Sequence, residues 1–472
     1  MCFTYYSSAK LLTLLGEHTE KFNPLTTGTL DTLLEFCDKA PKVLLIIPSY
    51  NDTSIDSTLS KWFDQKYPEY KIIVAEDGTK SYEKFGKINR TERYEYTLPN
   101  GNKQEIMIEK IEINNKPNLD SILIFRRGNR EGFKPGAINN VIYSIKSNIL
   151  EDFGIRNPDY VMIIDADHEP GGNPFLKLIL HKTPVNNLSE SDYKTLQDLL
   201  KPYEVEGKYL LNLESYRLNP KTMDDPNTMI TRAVEAFEYH KKFVPQLAVV
   251  QGYQNHYSFD KGLDLLVQSA HILAQWNIIC RSPRIKIKIR DKSNRELIYI
   301  SDEKRKNYIG RMYKILTRLL QNRWKPVNKF TENNKEYEIW ISNHGFPLFT
   351  GSSGIIRWDL LSKYMFADGI FTHNKSITED WELSIRLQKD GYYIFATHQL
   401  ETWGRPPENI STYKKQQYRW AYGTVRDIIT HFKEVMGSNN LQFSEKLGFI
   451  AQAITILVVL CSCYQRSLYL SP

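Results

Sequence analysis

Three short apolar runs, each followed by a turn that carries an acidic side chain, constrain this chain most. They are Lys42 to Pro48 (KVLLIIP), Tyr70 to Ala75 (YKIIVA) and Tyr160 to Ile164 (YVMII), and Asp52, Asp77 and Asp165 lie just beyond them. Unbroken β-branched runs of this length suit strands covered on both faces. Ile122 to Phe125 reads as another strand and Ala248 to Gln251 as a further short one. Ile55 to Phe63 and Pro135 to Lys146 have helical patterns, the second with Pro135 at its start. Alternating strand, turn and helix predict an α/β fold: a Rossmann-like, mostly parallel central sheet with flanking helices. Such sheets bind ligands beyond the carboxyl ends of their strands, where the three aspartates fall.

At 472 residues the chain has room for two ordinary domains, or for one large domain with insertions. Hydrophobic residues make up 41% and charged residues 25%, which excludes a disordered chain. The net charge of +7 is spread along the sequence. The basic stretch Arg281 to Arg290 lacks interleaved aromatics, so no nucleic-acid partner is expected. Five cysteines form neither a zinc pattern nor a disulfide framework, which suits a reducing compartment. Met1 to Lys42 has no signal-peptide pattern. Phe449 to Tyr464 is almost wholly apolar and, with Leu447 and Gly448, approaches the roughly 20 residues a spanning helix needs.

The expected organisation is an N-terminal helical extension over 1–40, a catalytic domain over 41–432 and a terminal segment over 433–472. The domain carries an insertion at about 281–340, with a helix expected from Lys306 to Arg323. The terminal segment is read as interfacial, with a partial transmembrane helix over about 447–464.

The candidate chemistry is carried by small groups of residues. Asp77, after a buried strand, can accept hydrogen bonds from a uracil or guanine edge; an ordinary Asp-Gly turn explains it as well. Tyr50 and Asp52 sit at the neighbouring strand end, placed to flank the same base or ribose. In Asp165-Ala166-Asp167, residues two apart on a strand point the same way, and paired carboxylates repel unless a cation compensates them. Mg²⁺ or Mn²⁺ shared with substrate phosphates is the natural partner. Lys134 opens a helix, where an ammonium and free amides can hold a phosphate, and Arg126, Arg127 and Arg130 precede it. Asp380, after Thr378 and Glu379, is a candidate general base, with Glu379 the competitor; Thr378 as a helix N-cap would account for the group structurally. The helix over Glu379 to Asp390 is expected to close at Gly391. Gln416, Arg419 and Trp420 share one face of a second helix, Ser411 to Phe432. Arg419 can neutralise a diphosphate, and the Trp420 indole can stack on a sugar ring or pack in a core.

Together, RRGNREGFKPGAINN, DADHEP, TGSSGIIR, TEDWELSIRL and PPENISTYKKQQYRWAYG resemble the processive branch of glycosyltransferase family 2, most of all cellulose synthase-like and glucomannan synthases. The resemblance covers about Lys42 to Phe432 apart from the insertion. It implies a GT-A fold and a metal-dependent, inverting transfer from UDP-glucose or a similar UDP- or GDP-sugar to a growing β-linked glycan. By position it puts Asp77 at the base, Lys134 at the diphosphate, Asp165 near ribose and phosphates, and Asp167 on the metal. Asp380 becomes the base; Gln416, Arg419 and Trp420 line donor phosphates and acceptor terminus; Thr350 and Gly351 face the acceptor. Cellulose synthases carry Cys where this chain has Thr350. The resemblance also implies a membrane-associated enzyme with its catalytic domain on the cytoplasmic side. Membrane subunits would supply a channel that one segment cannot form. The alternatives are transfer of one sugar to a lipid or short glycan, and a truncated, inactive nucleotide- or membrane-binding domain. A nucleotidyltransferase fits less well, because Ser49-Tyr50-Asn51-Asp52 stands where its Gly-rich signature belongs.

Overall fold

The computed structural model describes residues 30–34, 37–97, 101, 103–172, 225–256, 283–290, 296–300, 324–332, 334–342, 346–364, 378–407 and 409–450. The expected helix at Lys306 to Arg323 and most of the apolar C-terminal run lie outside them. Among the described residues no helix is long and apolar enough to cross a membrane.

The first half alternates as the sequence predicts: α1 (Leu30–Leu34), β1 (Val43–Ser49), α2 (Ile55–Trp62) and β2 (Tyr70–Glu76). A hairpin follows, β3 (Ile88–Thr97) and β4 (Lys103–Glu112), then β5 (Ser121–Arg127), α3 (Phe133–Lys146), β6 (Tyr160–Ile163) and the short β7 (Glu169–Pro170). The second half holds α4 (Met229–Phe243), β8 (Leu247–His256), β9 (Arg284–Arg290), β10 (Glu296–Ile300), β11 (Lys325–Glu332) and β12 (Lys335–Ser342). It ends with β13 (Gly354–Arg357), α5 (Trp358–Tyr364), α6 (Glu379–Lys389), β14 (Tyr393–Gly404) and α7 (Ile410–Gly437).

Ten strands form one sheet in the order β3-β4-β5-β2-β1-β6-β13-β8-β14-β7. Its heart is parallel: Ile46 on β1 pairs with Ile73 on β2 and Ile163 on β6, and Ala75 on β2 with Phe125 on β5. The carboxyl ends of these four strands therefore share one edge. Strand β13 runs against both β6 and β8, and Gly354, its first residue, pairs with Ile163 and Gln251. Its amino end thus reaches the same edge, as do the carboxyl ends of β8 and of β14, which parallels β8. One sheet edge gathers segments from across the chain, and the candidate residues sit on it.

Each face of the sheet is covered. Ile55, Leu59 and Trp62 of α2 and Ile230, Val234 and Phe237 of α4 pack on one side; Ile138, Val141 and Ile142 of α3 and Leu360 and Leu361 of α5 pack on the other. The insertion contributes a four-stranded antiparallel sheet, β10-β9-β12-β11. The basic stretch is a strict alternation: Ile285, Ile287 and Ile289 of β9 are buried with Tyr337, Ile339 and Ile341 of β12. Lys286 and Lys288 take the opposite face, their ammoniums 4.8 and 5.4 Å from the Trp340 ring centroid. Helix α6 ends as predicted, with Gly391 left-handed at φ +92° and its amide bonded to the Gln388 carbonyl.

Candidate active site

The loops after β1 and β2 are tied together by Glu76, which is fully buried. One carboxylate oxygen accepts from Ser49 Oγ at 2.8 Å and Tyr82 Oη at 2.6 Å; the other accepts from the amides of Asn51 and Gly78 at 2.9 and 2.7 Å. A buried charge needs this degree of satisfaction. Asn51, at φ +50°, accepts from the Thr79 and Lys80 amides at 2.8 and 3.1 Å. A Cβ on Gly78 would overlap the Asn51 side-chain amide, so a larger residue here would displace the group that holds the Thr79 and Lys80 amides. In the sequence Glu76 is only the residue after an apolar run; nothing in its spacing marks it.

Asp77 is nearly buried and paired bidentately with Arg127, whose Nε donates at 2.7 Å and whose Nη2 donates to the other oxygen. Arg127 also donates to the Glu131 and Phe133 carbonyls at 2.7 and 3.0 Å. It is a structural partner of Asp77, and Arg126 is likewise engaged by Glu109 and the carbonyls of Gly78 and Lys80. Arg127→Ala would strand a buried carboxylate. A loss of about 3–5 kcal/mol is expected, read as a lowered midpoint in chemical denaturation. Tyr50 is exposed, with the Arg130 guanidinium 3.3 Å from its ring centroid. Asp52 turns inward: Oδ1 accepts from the Ser54 amide at 2.7 Å and from its hydroxyl, at the start of α2.

Lys134 is the centre of the arrangement. Its Nζ donates to Asp165 Oδ1 at 2.6 Å and to the Gly351 carbonyl at 3.2 Å, and lies 3.3 Å from Glu379 Oε1. Burial disfavours the ammonium, but Asp165, Glu379 and Asp380 outweigh it and hold its pKa above the usual lysine range. Gly351 is at φ +78°, and a Cβ there would lie 3.0 Å from Asp380 Oδ2 and 3.4 Å from Lys134 Nζ. Thr350, beside it, gives its amide to Gln251 at 3.0 Å and receives Gln254 Nε2 on its hydroxyl at 3.0 Å. Pro135 is the third residue of α3 and not its start; Gly132, left-handed at φ +75°, and Phe133 precede it.

Asp165 and Asp167 lie on a turn, closed by the His168 amide on the Asp165 carbonyl at 2.9 Å, because the strand stops at Ile163. Strand pleating therefore does not set their relation. Burial opposes the Asp165 charge, but Lys134, His168 and Arg419 hold it below the usual carboxylate range. Asp167 is the converse: burial and the Asp165 charge push its pKa up, although His168 and the Arg405 amide work against them. Asp167 Oδ2 accepts from that amide at 3.0 Å, and among the described residues no side chain pairs with it as a cation. Ser352, fully buried, bridges the turn: its Oγ accepts from the Asp165 amide at 3.1 Å and lies 2.9 Å from His168 Nδ1.

Among the described residues no group of three or more His, Cys, Asp or Glu side chains is placed to hold a metal. A hard divalent ion needs few protein ligands when substrate phosphates complete its shell. Asp167, a half-buried carboxylate with no cationic partner among the described residues and a hard oxygen to offer, fits that requirement; Asp165, engaged by Lys134, fits it less directly.

Asp380 and Glu379 open α6. Asp380 Oδ1 accepts its neighbour Trp381's amide at 2.8 Å, and Oδ2 faces Gly351. Burial and the Glu379 charge raise the Asp380 pKa to about 7 against the pull of Lys134. Thr378 occupies the N-cap position but makes no cap bond; its hydroxyl donates instead to Asp427 on α7 at 2.6 Å. On α7, Gln416 is half-buried, whereas Arg419 and Trp420 are exposed, Trp420 at 45%. The Trp420 indole is thus not core. Asn409 caps this helix through the Thr412 amide at 2.9 Å.

Residues 313–470 match the family model Glycosyl transferase family group 2, a span that takes in Thr350, Gly351, Glu379, Asp380, Gln416, Arg419 and Trp420. No curated protein matches the chain. Among solved structures, S. aureus TarS 1–349 is 11% identical over 88% of this chain and 71% of its own, with a TM-score of 0.35. Its complex with UDP-GlcNAc aligns equally, over 72% of that chain. GalNAc-T7 with UDP, GalNAc and Mn²⁺ is 9% identical over 85% and 50%, with a TM-score of 0.30.

Proposed function

We propose that this chain is a glycosyltransferase of GT-A fold that moves a sugar, with inversion, from a UDP- or GDP-sugar to a hydroxyl of a growing β-linked glycan at a membrane face. The observation that carries the reading is the position of Lys134: one ammonium touches Asp165, Glu379 and the Gly351 carbonyl and feels Asp380. Four motifs far apart in sequence thereby surround one point. That point offers a cation to a diphosphate and a carboxylate near neutrality to an attacking hydroxyl.

In this reading the base lies over the loops tied by Glu76, with Asp77 at its edge and Tyr50 and Asp52 at its flank. The diphosphate approaches Lys134 and Arg419, and the acceptor lies against Thr350, Gly351 and the Trp420 indole. Asp380 Oδ2 takes the acceptor proton as its oxygen forms a bond to the anomeric carbon; the bond from that carbon to the phosphate oxygen breaks on the opposite face. The electron pair leaves on the diphosphate, where Lys134 and Arg419 offset the charge. Asp167, with Asp165 nearby, would hold a Mg²⁺ or Mn²⁺ ion, which when bound supplies further positive charge to the phosphates. A single displacement of this kind inverts the anomeric centre.

The test is release of nucleoside diphosphate from UDP-glucose, UDP-N-acetylglucosamine and GDP-mannose by the purified chain in detergent, with Mg²⁺, Mn²⁺ or EDTA. Chelator-sensitive release from one donor is expected. A folded protein that releases nothing from any of them would overturn the reading.

A further inference from the structure

Helices α6 and α7 meet through two buried polar contacts and one exposed ion pair, none of which the reaction outlined above uses. Thr378 donates to Asp427 Oδ2 at 2.6 Å, His431 Nε2 lies 3.3 Å from Glu382 Oε1, and Lys389 pairs with Glu434. The three pairs ascend both helices in the same direction, so the helices lie parallel and in fixed register. Asp427, His431 and Glu382 are each at most 5% exposed. Gly423 lets the backbones close: a Cβ there would lie 2.7 Å from Thr378 Oγ1 and Cγ2. Trp381, Ile385, Ile428 and Val435 fill the remaining interface. A buried hydroxyl on a buried carboxyl group fixes geometry, because breaking it costs each group a hydrogen bond in a low-dielectric interior. Thr378 immediately precedes Glu379 and Asp380, and Trp420 lies about two helical turns before Asp427.

We propose that Asp427 is a positioning residue: through Thr378 it fixes the start of α6, coupling the seat of Asp380 to the α7 face that carries Gln416, Arg419 and Trp420. The proposal rests on the reading of Asp380 as the base. It predicts that a small shift at this joint acts on turnover, not on donor binding, since a displacement of about 1 Å in a catalytic group can cost on the order of 100-fold.

The test compares Thr378→Val, Thr378→Ser, Asp427→Ala and Gly423→Ala, using whichever of UDP-glucose, UDP-N-acetylglucosamine or GDP-mannose the unaltered protein turns over. Thr378→Val, Asp427→Ala and Gly423→Ala are expected to lower kcat by about 10- to 100-fold. Donor KM and UDP affinity should stay within about twofold, whereas Thr378→Ser, which keeps the hydroxyl, should stay near wild type. Thr378→Val is nearly isosteric and decides the matter if Asp427→Ala does not fold. Retained kcat in Thr378→Val, or equal damage in Thr378→Ser, overturns the coupling while leaving the base in place. Full activity in Asp380→Asn removes the base and the coupling with it. Independently of any donor, amide hydrogen exchange at Glu379 and Trp381 should be faster in Thr378→Val; unchanged exchange overturns the proposal.

Discussion

Asp380→Asn is expected to lower turnover by about 1,000-fold while leaving donor affinity nearly unchanged. Asparagine keeps the shape and the bond to the Trp381 amide but cannot take a proton from the acceptor. In the unaltered protein kcat/KM should rise with pH through about 7, the value to which burial and Glu379 bring this carboxyl. The residual activity of the variant should lack that limb. Stability moves the opposite way. The folded pKa lies above the ordinary 3.8, so the stability contributed by the protonated group is complete below pH 4 and lost as pH rises through 7. At pH 8 the native state holds a carboxylate that its surroundings disfavour. A rise of that size corresponds to about 4 kcal/mol, and partial exposure reduces this to on the order of 2 kcal/mol. Asp380→Asn should therefore melt higher than wild type at pH 8 and level with it at pH 4. A variant that retains turnover removes Asp380 as the base, and Glu379→Gln then becomes the informative substitution.

Asp167→Ala should remove the metal dependence of donor binding. Titration of UDP-glucose, UDP-N-acetylglucosamine and GDP-mannose by calorimetry, with Mn²⁺ and with EDTA, gives the comparison. For the unaltered protein, Mn²⁺ is expected to tighten binding of the cognate donor by about 100-fold, close to ~3 kcal/mol. For the variant the two conditions should agree. The basis is the contrast between neighbours. Asp165 has its cation in Lys134, whereas Asp167 has none among the described residues and is held above the usual carboxylate range by burial and by Asp165. An undiminished Mn²⁺ effect in Asp167→Ala would sink the assignment and shift attention to Asp165.

The strands at the heart of the sheet are legible because burial on both faces writes itself into composition. Apolar side chains follow one another without a polar break through most of Val43–Ser49, Tyr70–Glu76 and Tyr160–Ile163, each within two residues of the expected span. The β3–β4 hairpin is not legible: β3 (INRTERYEYT) is a polar edge strand with no fully buried position, so no hydrophobic period announces it. In the insertion the isoleucine alternation of β9 is present but masked by its lysines, which make the stretch read as a charge run. At the site, Asp380, Lys134 and Asp165 can be found from motif order. Arg127 is noticed there only as a cation near Lys134, not as the partner of Asp77; Glu76, Ser352 and Asp427 cannot be found, because each acts through a partner 27 to 187 residues away, and single-sequence spacing holds no trace of such pairs.

The bond from Lys134 to Asp165 carries a thermodynamic consequence. Before any donor arrives the ammonium serves as an internal counter-ion, so a carboxylate that could greet an incoming cation is already neutralised. Releasing it requires somewhere else for the ammonium to go, and the diphosphate is the natural destination. On the proposed reading, cation and donor would be linked ligands: each would make room for the other, by the same factor in both directions. Without a nucleotide sugar the pocket would discourage divalent ions from binding alone.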